Sequence, residues 1–155
     1  MCALTSANAN CRYQIQEMAR VEKLTTDADI QAEIDTYNAL IPDRGELCAT
    51  MFIELTSDEA VRDWLVRLVG IENHVVIGLA DGGEVRSRPE AGHALQLTRA
   101  HATSAVHYLS FSFTSAQIEA LRAGPAQLVI DHPGYLEVAE MGTATVNELL
   151  SDLVA

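Results

Sequence analysis

The chain has 155 residues, 48% hydrophobic and 21% charged, a composition that fits one globular domain and not a disordered chain. Its formal net charge of −12 would repel a phosphate backbone or an anionic lipid surface, which argues against nucleic acid and membrane as partners. The three cysteines (Cys2, Cys11 and Cys48) are odd in number and form no CxxC, so a disulfide framework or a cysteine-based zinc site is not expected and a reducing cytoplasm fits best.

Residues 1–10 are small and polar and read as a flexible lead-in, with neither the basic nor the apolar region of a signal peptide. Residues 11–155 read as a single α+β domain. The stretch CRYQIQEMARVEKL, 11–24, has helical period, with Tyr13, Ile15, Met18, Ala19, Val21 and Leu24 on one broad apolar arc. Glu17 and Glu22 fall within that arc. Thr26 caps a second helix carrying Ile30, Ile34, Tyr37 and Ile41, which Pro42 ends. CATMFIEL, 48–55, alternates as a strand, and Thr56-x-x-Glu59 reads as a capping box opening a helix with Val61, Trp64, Leu65 and Leu68 on one stripe. Gly70 stops that helix. HVVIGLA, 74–80, is an apolar strand, and Asp81-Gly82-Gly83 turns it into a hairpin. Residues 86–102 carry no clear period and read as a loop or broken helix.

SAVHYLSFSF, 104–113, alternates most cleanly, placing Ala105, His107, Leu109, Phe111 and Phe113 on one face. Thr114-x-x-Gln117 boxes a short helix that Gly124-Pro125 ends. AQLVIDHP, 126–133, and the weaker YLEVAE, 135–140, are strands joined at Pro133-Gly134. Thr145-x-x-Glu148 opens a last helix with Val146, Leu149, Leu150 and Leu153 in register. The expected fold is one mixed or mostly antiparallel sheet of about five strands with helices packed on it. A bare edge of such a sheet would favour a homo-oligomer.

No GxSxG, P-loop, GxGxxG or HExxH occurs, which counts against the common hydrolase, nucleotide and dinucleotide classes. Three sets of residues remain. A carboxylate inside an apolar arc needs a partner or a cation, so Glu17 and Glu22 are either ligands or acid–base groups, or they pair with an arginine such as Arg12, Arg44 or Arg62. His107 is the polar side chain on an otherwise apolar strand face. It is a core histidine, or a ligand or base oriented by Glu17 or Glu22. Asp131, His132 and Tyr135 flank the turn that closes a strand; Asp131 and His132 point to opposite faces and are not expected to act on one atom. His74, His93 and His101 read as surface residues, Glu54 as half exposed and Cys48 as a small core residue.

Four blocks, RYQIQEMARVEK, AEIDTYNALIPDRGELCATMFIEL, TSAVHYLSFSFT and VIDHPGY, occur here in an order that resembles a bacterial domain-of-unknown-function family, catalogued as three-five-zero-one, over roughly residues 12–153. The resemblance carries over Tyr13, Gln14, Gln16, Glu17, Met18, Glu22, Tyr37, Asn38, Pro42, Asp43, Thr50, Glu54, His107, Asp131, His132, Pro133 and Tyr135. Ala39 stands where that family usually has proline. Members of the family carry further residues before the YQIQEM helix, which implies a shortened version, a fragment or a wrongly placed start. The family has no established activity. Its neighbourhood implies a redox setting, beside rubrerythrin and an iron–sulfur subunit like those of anaerobic glycerol-3-phosphate dehydrogenase or heterodisulfide reductase. Two functions are thus expected: a non-catalytic accessory to rubrerythrin-like or iron–sulfur proteins, or a protein using Glu17, Glu22 and His107 to hold a divalent metal such as iron, manganese or zinc.

Overall fold

The computed structural model describes residues 16–17, 20–21, 26–38, 42–89 and 102–154, with 16–17 and 20–21 helical. The lead-in, Glu22, His93 and His101 lie outside the described residues. Alternation builds the first sheet. In β1 (Glu46–Phe52), Leu47, Ala49 and Met51 are buried, while Cys48 is exposed on the opposite face and not in the core as expected. β1 pairs antiparallel with β5 (Val106–Ser112), setting Leu47 opposite Phe111, Ala49 opposite Leu109 and Met51 opposite His107. His107, Leu109 and Phe111 share the inner face as their spacing predicts, whereas Ala105 is exposed.

The second sheet has the order β3-β2-β6-β7 and is also antiparallel. β2 (Val75–Gly78) and β3 (Glu84–Arg86) form the expected hairpin, with Gly82 at φ 83° in its turn. The chain then runs through Ser87 into β4 (Arg88–Pro89), which joins the first sheet beside β5. Ser87 is the corner: its N–H donates to the Val75 carbonyl at 2.8 Å, and its hydroxyl to the Glu72 carbonyl at 2.7 Å. β6 (Gln127–His132) and β7 (Tyr135–Glu140) form a hairpin closed by Pro133-Gly134. The α+β, antiparallel expectation is met, but the strands divide into sheets of three and four. The segment from 84 to 89 passes from one sheet to the other, and no periodicity marks such a switch.

Four complete helices lie among the described residues. The first, α1, spans Asp27–Asn38, with Asp29 N–H donating to the Thr26 hydroxyl as the cap predicts. α2 (Asp58–Arg67) is capped by Ser57, whose hydroxyl accepts from Ala60 N–H at 3.2 Å. The box expected at Thr56 thus shifts by one residue, since Ser57 is an equally good cap. α3 (Ser115–Ala123) shows the capping box of Thr114 and Gln117 in full. α4 (Thr143–Val154) starts two residues before the expected box and buries Val146, Leu149, Leu150 and Leu153 as predicted. These side chains join Leu121 of α3 and the inner faces of both sheets in one core. Each fully buried Leu, Ile or Phe there contributes about 1.5–3 kcal/mol.

Candidate functional site

Polar residues within the fold gather in three places. The first is around His107. Its Nε2 lies 2.9 Å from the Ser104 carbonyl and 3.0 Å from the Thr103 hydroxyl. A carbonyl only accepts, so Nε2 carries the hydrogen. Nδ1 then faces Glu72 Oε2 at 3.9 Å, too far for a hydrogen bond. Glu72 sits in the single turn of 3-10 helix after α2 (Ile71–Asn73), is buried, and its Oε2 has no hydrogen-bond partner. Burial pushes the His107 ring below its ordinary pKa, against the opposing pull of the Glu72 charge and the Ser104 carbonyl.

The expected pairing of His107 with Glu17 is not what the structure has. Glu17 is held by Arg20, one turn along the same helix, at 2.7 Å, and Val21 of the supposed inner arc is exposed. The partner is an arginine, but a local one, Arg20. Glu22 lies outside the described residues. Among the described residues, no group of three or more His, Cys, Asp and Glu side chains is placed to hold a metal ion.

The second place is the far face of the second sheet. Asp131 accepts two parallel bonds from Arg86, at 2.9 and 2.7 Å, and lies 2.9 Å from His74 Nδ1. Hydrogen bonding by Arg86, then by His74, holds the Asp131 carboxyl down at about 2. His132, next in sequence, turns to the inner face. Its Nε2 donates to the Val69 carbonyl at 3.1 Å, and its Nδ1 accepts from Gly134 N–H at 3.0 Å. Both ring nitrogens are thus spent on backbone, stapling the end of α2 to the β6–β7 turn. Asp131 and His132 do part to opposite faces, as predicted. His74 nonetheless links them, bonding Asp131 while its ring meets His132 edge-on at 5.1 Å. The surface reading of His74 is therefore incomplete.

The third place is a cleft of about 550 Å³ between the end of β1, α2 and the inner face of β6–β7. Its walls are Met51, Ile53, Leu55, Leu68, Ile71, Leu128 and Ile130, with Trp64 and Tyr135 meeting edge to face at 6.2 Å. Among the described residues, the carboxylates of the exposed Glu54 and Glu137 line it, and no Lys, Arg or His does. Arg67 lies outside this lining, over the Trp64 ring at 4.5 Å. Of the predicted site residues that are described, Tyr135 alone is in the cleft. Glu54, read as half exposed, turns out to be part of its wall. A volume of this size with a mostly apolar wall and few polar groups is typical of a ligand pocket.

The chain is similar to a solved protein from Burkholderia pseudomallei K96243, described as a novel protein of unknown function: 38% identity, 93% of this chain and 75% of that chain covered, TM-score 0.70. No curated protein matches it. The family model described as protein of unknown function (DUF3501) matches residues 7–153, so the chain belongs to that family.

Proposed function

We propose that the domain is a non-catalytic accessory module, and that its cleft receives an apolar, positively charged group presented by a protein partner. One observation carries this reading: among the described residues, the cleft is apolar in its walls, acidic at Glu54 and Glu137, and lined by no cation. The polar clusters elsewhere support it by contrast. Asp131 is spent on Arg86 and His74, and His132 on backbone. An acidic surface also speeds encounter with a basic partner. The rubrerythrin-like and iron–sulfur proteins implied by the family's neighbourhood are the first partners to test.

Titration calorimetry against those two purified proteins tests the proposal, comparing the wild type with the double variant Glu54→Lys, Glu137→Lys. Both side chains are exposed, so the fold should persist. Binding by the wild type that falls at least about tenfold in the reversed variant is expected, since each lost charge pair is worth roughly 1 kcal/mol. Equal binding by both proteins would refute the role given to the cleft.

A further inference from the structure

Among the described residues, β7 is the last strand of its sheet, bonded to β6 on one side only, and all six of its residues are exposed. Tyr135 and His132 close a two-residue hairpin, so they form a mutually bonded pair, and every second residue of β7 repeats that pattern. Met141 continues it, its N–H donating to the Ala126 carbonyl at 2.8 Å. The N–H groups of Tyr135, Glu137 and Ala139 are therefore turned to β6. Those of Leu136, Val138 and Glu140 face the open edge. The side chains divide by the same rule: Tyr135, Glu137 and Ala139 line the cleft, while Leu136 and Val138 lie on the other face, 73% and 49% exposed.

The edge and the cleft are thus one surface. We infer that a partner's extended segment adds to the second sheet as a fifth strand along β7, with alternate side chains entering the cleft mouth. This rests on the cleft reading above and specifies how the partner is held. The segment's chemistry follows from what it would meet. On its cleft face it would meet Tyr135, Ala139, Glu54 and Glu137, so apolar side chains there are mixed with lysine or arginine, and on its other face it would meet Leu136, Val138 and Glu140. A second copy of this chain is the wrong complement. It would bring another Glu137 and Glu140 to the same edge, on a molecule of net charge −12.

The test uses a synthetic peptide of repeated Val-Thr-Lys-Thr, which sets valine and lysine in turn on one face. Trp64 is the chain's single tryptophan and lines the cleft, so its fluorescence reports occupancy. The wild type should bind the peptide saturably, and peptide N-methylated along its pairing edge should not bind. Val138→Pro removes one outward N–H without touching the β6 ladder, a substitution that edge strands tolerate. It should weaken binding about tenfold, as expected for one backbone hydrogen bond. Sedimentation and thermal melting check that the variant stays folded. Binding that survives both N-methylation and Val138→Pro but falls on Glu54→Lys, Glu137→Lys would overturn strand addition and leave the cleft reading standing. Failure of the wild type to bind the peptide, or a concentration-dependent dimer abolished by Val138→Pro, would also overturn it.

Discussion

Replacing Glu72 by glutamine tests whether the His107 pocket is structural. In the neutral ring, the hydrogen on Nε2 is committed to the Ser104 carbonyl, which leaves a lone pair on Nδ1. That lone pair faces Glu72 Oε2 at 3.9 Å, and Oε2 has no hydrogen-bond partner. Two acceptors therefore oppose each other in a place where both residues are buried. An unsatisfied buried polar atom costs about 1–3 kcal/mol. Glutamine keeps the shape of the side chain and supplies an N–H to aim at Nδ1. Glu72→Gln should therefore stabilise the domain by about 1 kcal/mol at pH 8, or roughly 2–4 °C in Tm for a domain of this size. Acid should reverse the gain. Because burial lowers the folded-state pKa of His107 below its ordinary 6.5, the unfolded chain takes up the proton first as pH falls. The stability tied to neutral His107 is complete above 6.5 and is lost as pH falls through the lowered folded value. Once the ring is charged, the wild type has a carboxylate beside it and the variant has none. Thermal unfolding followed by circular dichroism over a pH series descending from 8 measures both effects. A variant less stable than the wild type at pH 8 by more than about 1 kcal/mol would refute the reasoning, because the carboxylate would then have a favourable partner.

Asp131 gives a second pH test with a different window. Its carboxyl is lowered from 3.8 to about 2, so its contribution is present above 3.8 and is lost as pH falls through about 2. With Asp131 and Arg86 side chains 34% and 42% exposed, solvent limits that contribution to about 1 kcal/mol. Asp131→Asn should flatten the acid limb of the stability curve by that amount, and an unchanged limb in acid titration would contradict the assignment. Gly124→Ala should destabilise by about 1–3 kcal/mol in urea unfolding, because the new Cβ would stand 2.6 Å from the Cβ of Ala80. Leu121→Ala, at 0% exposed beneath α3, should cost about 2–5 kcal/mol in the same assay.

The parts of the fold that repeat with a fixed period were legible in the sequence. Alternation predicted the inner face of β5, including the placement of His107 among Leu109 and Phe111. Helical spacing predicted the four buried residues of α4, and the Thr114–Gln117 box is formed as read. Contacts between distant segments were not legible. Glu72 sits in one turn of 3-10 helix, too short to show a period, and only the folding of the first sheet against that turn brings it to His107. His74 and Asp131 are 57 residues apart and meet because β2 and β6 are neighbours. Glu17 illustrates the opposite error. Arg20 was three positions away, and a local pair of that spacing forms without any tertiary contact. The cleft is a product of two sheets facing each other, and its acidic members, Glu54 and Glu137, look in sequence like ordinary polar positions on alternating strands.

The cleft's role is tested most directly by a chemical-shift map of the isotopically labelled protein on addition of a purified rubrerythrin-like or iron–sulfur protein. The Trp64 indole, the Met51, Ile53, Leu128 and Ile130 methyls and the amides of β7 should move together, because these groups form the cleft and its open edge. Shifts centred on Glu72 and His107, or on His74 and Asp131, with the cleft silent, would contradict it.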